Sequence, residues 1–379
     1  MAGPCPFFRT FMFASLGLGL FWVLPALPPR ASGVKPLAPA AQRSVQVFLE
    51  RFCRVAPGRR IAWSLDGVGA PPGFLLLRYD LSSSEASFDV SATLLLSRDL
   101  RWVFSGHVLG LPPGLVDPGG SKAPEALSRY LSERAGALVG VTWDSGFGPG
   151  SAHDARVRQE TPLGPVTTGG ALASDGGWFF FGTFYALAAD PREERLRRLG
   201  LAGRAWEGPA GAPVTLVEFF DYQCPSCAEL EPVIRAAFSR HARNVRLVPV
   251  DLPQWRSHDW AGAAAEADLC VAAIAPQAYG SYRQALFSRQ EGITAQSLNG
   301  VLRSVLDGLN VPLSLLENCQ SAGRPRERLL ADLGAASTLG ISATPVVLVN
   351  GALLEGKIED VLEEEVARAL AHPSGTPTG

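Results

Sequence analysis

The feature that most constrains the fold is a pair of cysteines between two secondary-structure patterns. The segment VTLVEFF (Val214–Phe220) is a β-branched and aromatic run typical of a central strand, and CPSC, with Cys224 and Cys227, follows it. A helical pattern, CAELEPVIRAAFSRHA, begins at the second cysteine. A CxxC that opens a helix places its first cysteine where exposed N–H groups and the helix dipole stabilise a thiolate. The pair can be a structural disulfide, half of a metal site or a reactive dithiol.

The spacing assigns candidate roles to the residues around this pair. A thiolate is the species that attacks a disulfide, so Cys224 is the expected nucleophile, and Pro225 fits the first helical turn, which needs no donor. Cys227 lies one turn further in and suits the resolving role. Glu218, on the strand, becomes a proton acceptor for Cys227 if it points inward and burial raises its pKa. The alternative is a glutamate on the solvent face of the strand.

The rest of the C-terminal half alternates strand and helix patterns. A strand, VRLVPVDLP, follows the first helix, and Pro249 within it removes a ladder donor, which indicates an unpaired side or a local break. Residues 257–339 are helical almost throughout and rich in alanine. ATPVVLVNG then predicts a strand, and EDVLEEEVARALAH predicts an amphipathic closing helix. This order predicts an α/β architecture with a helical insertion.

Several motifs in this half resemble the thioredoxin superfamily, and DsbA-like thiol:disulfide oxidoreductases in particular. They are VEFFDYQCPSC with Pro232 eight residues after the first cysteine, AAAEADLC, YRQALF, LENC and GISATPVVLVNG. The resemblance covers residues 205–372. It implies a thioredoxin fold, a buried Glu218, and a cis-proline at Pro345, preceded by Thr344, that packs against the CxxC.

The same resemblance implies that Pro225 and Ser226, together with Thr344 and Pro345, contact the substrate. The dipeptide Pro225-Ser226 lacks the histidine found in the strongest oxidants of the family. The degree of thiolate stabilisation is therefore open. So is the direction of exchange among oxidase, isomerase and reductase.

The remaining cysteines have structural interpretations. Cys270 and Cys319 lie 49 residues apart in the helical insertion, and a bridge between them would stabilise the fold by about 4 kcal/mol in the chain-entropy model. We expect a structural disulfide there, with two buried free thiols as the alternative. Cys53, on the apolar side of the first helix, is expected to be a small buried hydrophobe, with intermolecular pairing as the alternative. Cys5 lies in the N-terminal segment.

The N-terminal segment predicts export. Residues 11–27, FMFASLGLGLFWVLPAL, carry no charge and follow Arg9, which is typical of a signal peptide, although the length also fits an uncleaved membrane anchor. The body of the protein is therefore expected outside the cytoplasm, where disulfides persist. The net charge of −2 gives no reason to expect nucleic acid as a partner.

Metal binding is not expected either. CPSC and two distant cysteines lack the paired spacing of a structural zinc site. Copper sites in some DsbA-like proteins recruit Met or His. Both methionines, Met1 and Met12, lie in the N-terminal segment, and the five histidines are scattered.

The N-terminal half contains an internal repeat. SRDLRWVFSGHVLGL (Ser97–Leu111) aligns with ASDGGWFFFGTFYAL (Ala173–Leu187) at an offset of 76 residues, and IAW ending at Trp63 aligns with VTW ending at Trp143 at an offset of 80. A helical pattern opens each copy, so the unit is one helix plus three or four strands. The alternative is a chance similarity of two Gly-rich strand patterns.

The repeat carries no cluster of His, Cys or carboxylate residues, which favours packing, dimerisation or substrate holding over catalysis. The second copy and the charged helix after it resemble, over a short stretch, the N-terminal dimerisation domain and linker helix of DsbC- and DsbG-like isomerases. This suggests that the two copies pack against each other within one chain, as two isomerase subunits do. The oligomeric state is open.

The fold class expected is α/β: a thioredoxin fold with a helical insertion, preceded by an α+β region of two tandem helix-plus-strands repeats. The expected domains are a signal peptide or membrane anchor (1–33), repeat 1 (40–113), repeat 2 (124–190), a linker helix and loop (191–211), a DsbA-like thioredoxin domain (212–372) with its helical insertion (257–339), and a flexible tail (373–379).

The expected function is an exported thiol:disulfide oxidoreductase that forms, reduces or isomerises disulfides in extracytoplasmic proteins. It would act on protein or peptide substrates and exchange electrons with a redox partner protein, without a cofactor beyond its own dithiol. The alternative is a thioredoxin-fold binding module, either a chaperone or a copper carrier.

Overall fold

The computed structural model describes residues 34–54, 59–83, 90–144, 152–202, 204–355 and 357–371. The export segment with Cys5 and the predicted tail 373–379 lie outside these residues. No helix in the described ranges is long and apolar enough to cross a membrane. The described chain forms two sheets, of eight and five strands.

The eight-stranded sheet is antiparallel and combines the two repeats. Each repeat supplies one helix and four strands of this sheet, in the order β2-β3-β4-β5-β9-β8-β7-β6. The elements are α1 Pro39–Phe52, β1 Cys53–Arg54, β2 Arg59–Asp66, β3 Phe74–Ser83, β4 Val90–Ser97, β5 Trp102–Gly110, α2 Ala123–Ala135, β6 Val139–Trp143, β7 Ala152–Thr161, β8 Gly164–Ala173 and β9 Trp178–Ala186.

The two copies meet through their last strands about a pseudo-twofold axis. Strands β5 and β9 pair antiparallel, and Gly106 lies opposite Gly182, its own equivalent 76 residues later. Both glycines have positive φ, 147° and 150°, and a Cβ on either would collide with backbone atoms of the opposite strand. The two copies therefore pack against each other within one chain, as the repeat suggested.

An ion pair recurs in the outer strands of both copies. Arg78 lies 3.9 Å from Asp66 in the first copy, and Arg156 lies 2.8 Å from Asp144 in the second. Both residues of the pair are displaced by 78 positions between the copies. The duplication is thus expressed in side-chain contacts as well as in strand order.

The predicted equivalence of Trp63 and Trp143 is wrong by two residues. The offset of 78 in these strands places Trp143 at the position of Leu65. Side chains two apart in a strand point to the same face, so an aromatic shifted by two residues still contributes to the same side of the sheet. The sequence match could not distinguish the two registers.

The eight-stranded sheet is curved, and its two faces have different partners. Phe74 on β3 and Phe180 on β9 are three strands apart in the sheet order, yet their ring centroids are 5.4 Å apart. Phe104 and Phe184 belong to the same aromatic cluster on the concave face. The opposite face packs against α1 and α2.

The second sheet has the order β1-β13-β12-β10-β11, and β10 pairs parallel with β11 and antiparallel with β12. The predicted helical insertion lies between β11 and β12, and Pro249 lies on the edge strand β11, where a donor is dispensable. The elements are α3 Pro191–Leu199, β10 Val214–Phe220, α4 Pro225–Arg240, β11 Val245–Asp251, α5 Ala261–Ile274, α6 Tyr279–Phe287, a 3-10 turn Gln290–Gly292, α7 Leu298–Gly308, α8 Leu313–Ser321, α9 Arg324–Thr338, β12 Val346–Val349, β13 Ala352–Leu354 and α10 Ile358–Ala371.

Tertiary contacts cross two of the expected domain boundaries. Strand β1 of the first repeat pairs parallel with β13, so the N-terminal half contributes a strand to the second sheet. The helix predicted as part of a linker, α3, packs against neighbouring elements. Its buried Arg195 donates to the carbonyls of Phe52 (2.5 Å) and Gly351 (3.1 Å) and stacks on the Phe52 ring. These contacts join α1, α3 and the end of β12.

Helix α9 also packs directly on the eight-stranded sheet. Thr183 Oγ1 on β9 donates to the carbonyl of Thr338 (2.6 Å), and Thr338 Oγ1 accepts from Gly169 N on β8 (3.0 Å). Gly334 lies so close to the carbonyl of Thr167 that a side chain would clash with it. The sheet thereby supports the end of the helix that leads into the Thr344–Pro345 segment.

Candidate active site

The CPSC segment lies where β10 ends and α4 begins. Cys224 is the N-cap residue of α4, and its N–H donates to the carbonyl of Asp221 (3.1 Å). Pro225 and Ser226 are exposed, whereas Cys227 is buried. Cys224 is 8% exposed and Cys227 is 0% exposed, so the first cysteine lies nearer to the surface than the second.

The two thiols have opposite electrostatic environments. The pKa of Cys224 is lowered to about 6, mainly because the Cys227 thiol donates a hydrogen bond to its sulfur, while burial acts in the opposite direction. The pKa of Cys227 is raised well above its ordinary value by burial first and by Cys224 second. At neutral pH the arrangement favours a thiolate on Cys224 and a thiol on Cys227.

Residues distant in sequence complete the surface around Cys224. The Thr344–Pro345 peptide bond is cis, and the Thr344 carbonyl oxygen lies 3.6 Å from Cys224 Sγ. Thr344 and Pro345 are both half-buried. Gln290, in the 3-10 turn, donates from Nε2 to the carbonyls of Tyr222 (2.7 Å) and Cys224 (2.8 Å) and holds the loop from the insertion side.

Glu218 points into the protein rather than to solvent. Its side chain is fully buried, and its pKa is raised to about 7, mainly by burial, while the charge of Arg283 lowers it and that of Glu231 raises it. The charge of Glu218 in turn helps to raise the pKa of Cys227. Its Oε2 accepts from Arg283, whereas Oε1 has no hydrogen-bond partner among the described residues. Oε1 is thus the oxygen available to take a proton.

The sequence did not reveal Arg283 as the partner of Glu218. Arg283 Nη2 donates to Glu218 (2.8 Å) and to Glu231 (3.0 Å), and the guanidinium lies over the ring of Phe220 at 4.2 Å. Glu231 in turn pairs with Arg235 (2.8 Å). An arginine among the aromatic residues of YRQALF in an apolar helical block was the available signal, because a fully buried arginine needs partners.

A second pair missed from the sequence lies beside the loop. His258 Nδ1 is 2.6 Å from Asp221 Oδ2, and the Asp221 side chain is fully buried. The pKa of His258 is raised, mainly by this hydrogen bond. No sequence motif assigned a role to His258 or Asp221.

The other cysteines occupy two different kinds of site. Cys270 on α5 and Cys319 on α8 form a disulfide within the insertion. Cys53 is a free, buried thiol that lies one residue beyond the end of α1, in β1, and donates to the carbonyl of Leu49 (3.3 Å). Burial raises its pKa to about 12, which suppresses its reactivity.

Comparison with known proteins assigns the C-terminal half. Residues 202–370 match the thioredoxin family model. The sequence is 31% identical over 173 residues to the Na(+)/H(+) antiporter NhaA 3 of Salinispora tropica, covering 45% of this chain and 26% of the antiporter. The chain thus spans about a quarter of the length of this curated relative.

Solved structures that resemble part of this chain include ScsC of Proteus mirabilis in a transitional conformation. The match has 23% sequence identity and a TM-score of 0.40, and it covers 47% of this chain and 78% of ScsC. They also include the thiol-disulfide exchange protein α-DsbA2 of Wolbachia pipientis. This match has 16% identity and a TM-score of 0.41, and it covers 47% of this chain and 95% of α-DsbA2. The DsbC/DsbG-like resemblance of the second repeat stays a prediction. The family match and the strand order of the second sheet agree on a thioredoxin-like α/β fold for the segment 202–370.

Proposed function

We propose that this protein is a thiol:disulfide oxidoreductase that acts outside the cytoplasm through Cys224 and Cys227. The observation that carries the proposal is the unequal ionisation of the two thiols at a helix N-terminus. Cys224 has a lowered pKa and lies beside the Thr344 carbonyl, while Cys227 is buried with a raised pKa. A reactive nucleophile and a resolving thiol need this difference.

The exchange proceeds in two steps. In the first, the Cys224 thiolate attacks one sulfur of a substrate disulfide, a mixed disulfide forms, and the other substrate sulfur leaves as a thiolate. In the second, Cys227 gives its proton to Glu218 and attacks the Cys224 sulfur. The substrate sulfur that was bonded to Cys224 then leaves as a thiolate. The substrate thus gains two electrons, and the protein ends with a Cys224–Cys227 disulfide. Oxidation of a dithiol substrate is the reverse.

The environment of Glu218 supports its role as proton acceptor. A pKa of about 7 lies near neutral pH, where a general base is most effective because it can both take and release a proton. The partly exposed Thr344 and Pro345, with Pro225 and Ser226, form the surface on which we place the substrate segment. Protein or peptide disulfides fit this open surface, and a redox partner protein would restore the dithiol or disulfide.

Stabilisation of the Cys224 thiolate lowers the free energy of the reduced form, which makes a dithiol pair more oxidising. The lowered pKa therefore supports disulfide formation as the physiological direction. Titration of the pair against glutathione mixtures measures the potential. A value more reducing than that of glutathione would instead identify a reductase.

Insulin reduction with dithiothreitol tests the chemistry. We expect Cys224→Ser to abolish turnover and Cys227→Ser to accumulate mixed disulfides with substrate. The matched control is Cys53→Ala, which removes a buried free thiol outside the site and should retain activity. Retained turnover in Cys224→Ser would refute the proposal and favour a binding module, whose affinity for clients would not need either cysteine.

A further inference from the structure

The side chain of His258 lies against a buried carboxylate three residues before Cys224. Its Nδ1 is 2.6 Å from Asp221 Oδ2, and the Asp221 side chain is 0% exposed while the imidazole is 18% exposed. Asp221 also accepts the N–H of Gln223 at Oδ1 and that of Gln254 at Oδ2, both at 2.7 Å. The carboxylate therefore accepts from two backbone N–H groups in addition to its contact with His258. An ionised carboxylate only accepts, so His258 Nδ1 carries the shared proton.

This carboxylate is a disadvantage for the nucleophile unless its charge is balanced. The negative charge of Asp221 opposes a second negative charge on Cys224 and acts to raise the pKa of that thiol. The two residues lie in the same turn, since the Cys224 N–H donates to the Asp221 carbonyl at 3.1 Å. A positive imidazolium on the far side of the carboxylate would cancel this effect.

The charged groups with the largest effect on the pKa of His258 are negative. They are Asp221 at the end of β10, Cys224 in the CPSC loop and Asp259 in its own segment, and each acts to raise the pKa of the imidazole, with burial acting against them. The neighbouring Arg256 is exposed and lies over the ring of Trp255 at 4.6 Å. The surroundings therefore favour the cationic form.

We propose that His258 is a positioning residue for the Asp221 carboxylate whose positive charge neutralises Asp221 and thereby permits a thiolate on Cys224. The proposal rests on the proposed function and supplies its electrostatic control. The CPSC dipeptide has no histidine, and His258 contributes an imidazolium from the segment after β11 instead. The effect has a defined pH range: the cation is present below the folded pKa of His258, which is above 6.5, and is lost as the pH rises through it.

A double-mutant cycle tests this charge balance. The rate of alkylation of reduced Cys224 by iodoacetamide is measured against pH, with the labelled residue located by mass spectrometry. We expect His258→Gln to leave Asp221 unbalanced and to slow alkylation at pH 5.5 roughly threefold to tenfold, equivalent to a pKa increase of up to about one unit. Asp221→Asn should shift the profile in the opposite direction. The double variant should lie near the wild type, because both charges are gone.

His241 provides the matched control. It is also paired with a carboxylate, with Nε2 2.9 Å from Glu363 Oε1, but it lies at the opposite end of α4 from Cys224. His241→Gln should leave the alkylation profile unchanged. A His258→Gln profile identical to wild type would overturn the proposal, as would a double variant that is shifted as far as His258→Gln, since that pattern indicates a damaged loop rather than an unbalanced charge.

A second measurement leaves His258 in place. Two charges that affect each other must do so reciprocally, so removal of the thiolate should change the titration of the imidazole. We expect NMR titration of the His258 ring to give a lower pKa in Cys224→Ser than in the reduced wild type. Equal values would refute the coupling. Neither readout requires disulfide exchange, so a failed insulin assay with a positive cycle would reject only the oxidoreductase function.

Discussion

The two halves of the molecule differ in what they bury. In the N-terminal sheet, the buried polar side chains of the described residues are the uncharged Ser97, Gln159, Thr168 and Thr183. Among the described residues, the second half buries eleven ionisable side chains: Arg195, Arg204, Glu218, Asp221, Glu231, Arg235, Asp251, Asp268, Arg283, Asp332 and Glu365. Buried charge is costly and persists only where it is paired.

The two halves are therefore stabilised by different kinds of buried contact. The sheet is held by aliphatic and aromatic packing about the Gly106–Gly182 axis, and its geometry is set by shape. The second half places ionisable groups close to its cysteines, where they shift the pKa values of Cys224 and Cys227. Three experiments test whether the two halves depend on these different forces.

The largest effect is expected from breaking the buried charge cluster. Arg283→Met leaves Glu218 and Glu231 buried without their shared partner, and removal of one member of a buried ion pair costs about 3–5 kcal/mol. Urea unfolding measures the loss. Adding Glu218→Gln to Arg283→Met should recover part of the stability, because one uncompensated charge is removed.

The control is Arg326→Met on the surface. Arg326 is 2.8 Å from Glu266, but its side chain is 59% exposed, so its removal should cost less than about 1 kcal/mol. Equal losses in the two arginine variants would show that the buried cluster contributes no more than a surface pair. The contrast between the halves would then have no energetic basis.

A smaller effect is expected at the interface between the halves. Gly334→Ala forces a methyl group against the Thr167 carbonyl, and such overpacking costs about 1–3 kcal/mol. Limited proteolysis should show earlier cleavage around α9 in this variant. Gly300→Ala is the matched helical control: nothing lies near its Cβ position, and it should stabilise by up to about 1 kcal/mol. A Gly334→Ala protein as stable as Gly300→Ala would indicate a loose interface.

A further experiment follows the stability of the reduced protein as the pH changes. The folded pKa of Cys224 is about 6 against an ordinary 9.0, so the folded state releases its proton first as the pH rises. The reduced protein should therefore gain stability between pH 6 and pH 9 and lose it again on acidification through pH 6. Urea midpoints of the reduced wild type and Cys224→Ser across this range measure the contribution. Parallel curves would show that the thiolate is not stabilised by folding.

Local patterns predicted the elements near the active site with good agreement. The strand before CPSC, the helix after it and the helical insertion follow from residue periodicity, which depends on neighbours a few positions away. The repeat predicted two similar units and their packing within one chain. The copy register in the outer strands was wrong by two residues, because side-chain alternation is unchanged by that shift.

The partners of the site residues could not be predicted in the same way. Arg283 reaches Glu218 across 65 residues, and His258 reaches Asp221 across 37. Their positions depend on how α6 and the segment after β11 fold back over the domain. The pairing of β1 with β13 likewise joins residues 300 positions apart. Hydrophobic periodicity carries no information on such pairs.

The sequence alone determined where the CPSC pair would lie, because a strand, CPSC and a helix in succession place one cysteine at a helix N-terminus. Tertiary structure alone decided how that dithiol is tuned. The pKa of Glu218 and that of Cys224 depend on burial and on charges within a few ångströms, and those charges come from distant parts of the chain. Only folding brings them together in a medium where their interaction is strong.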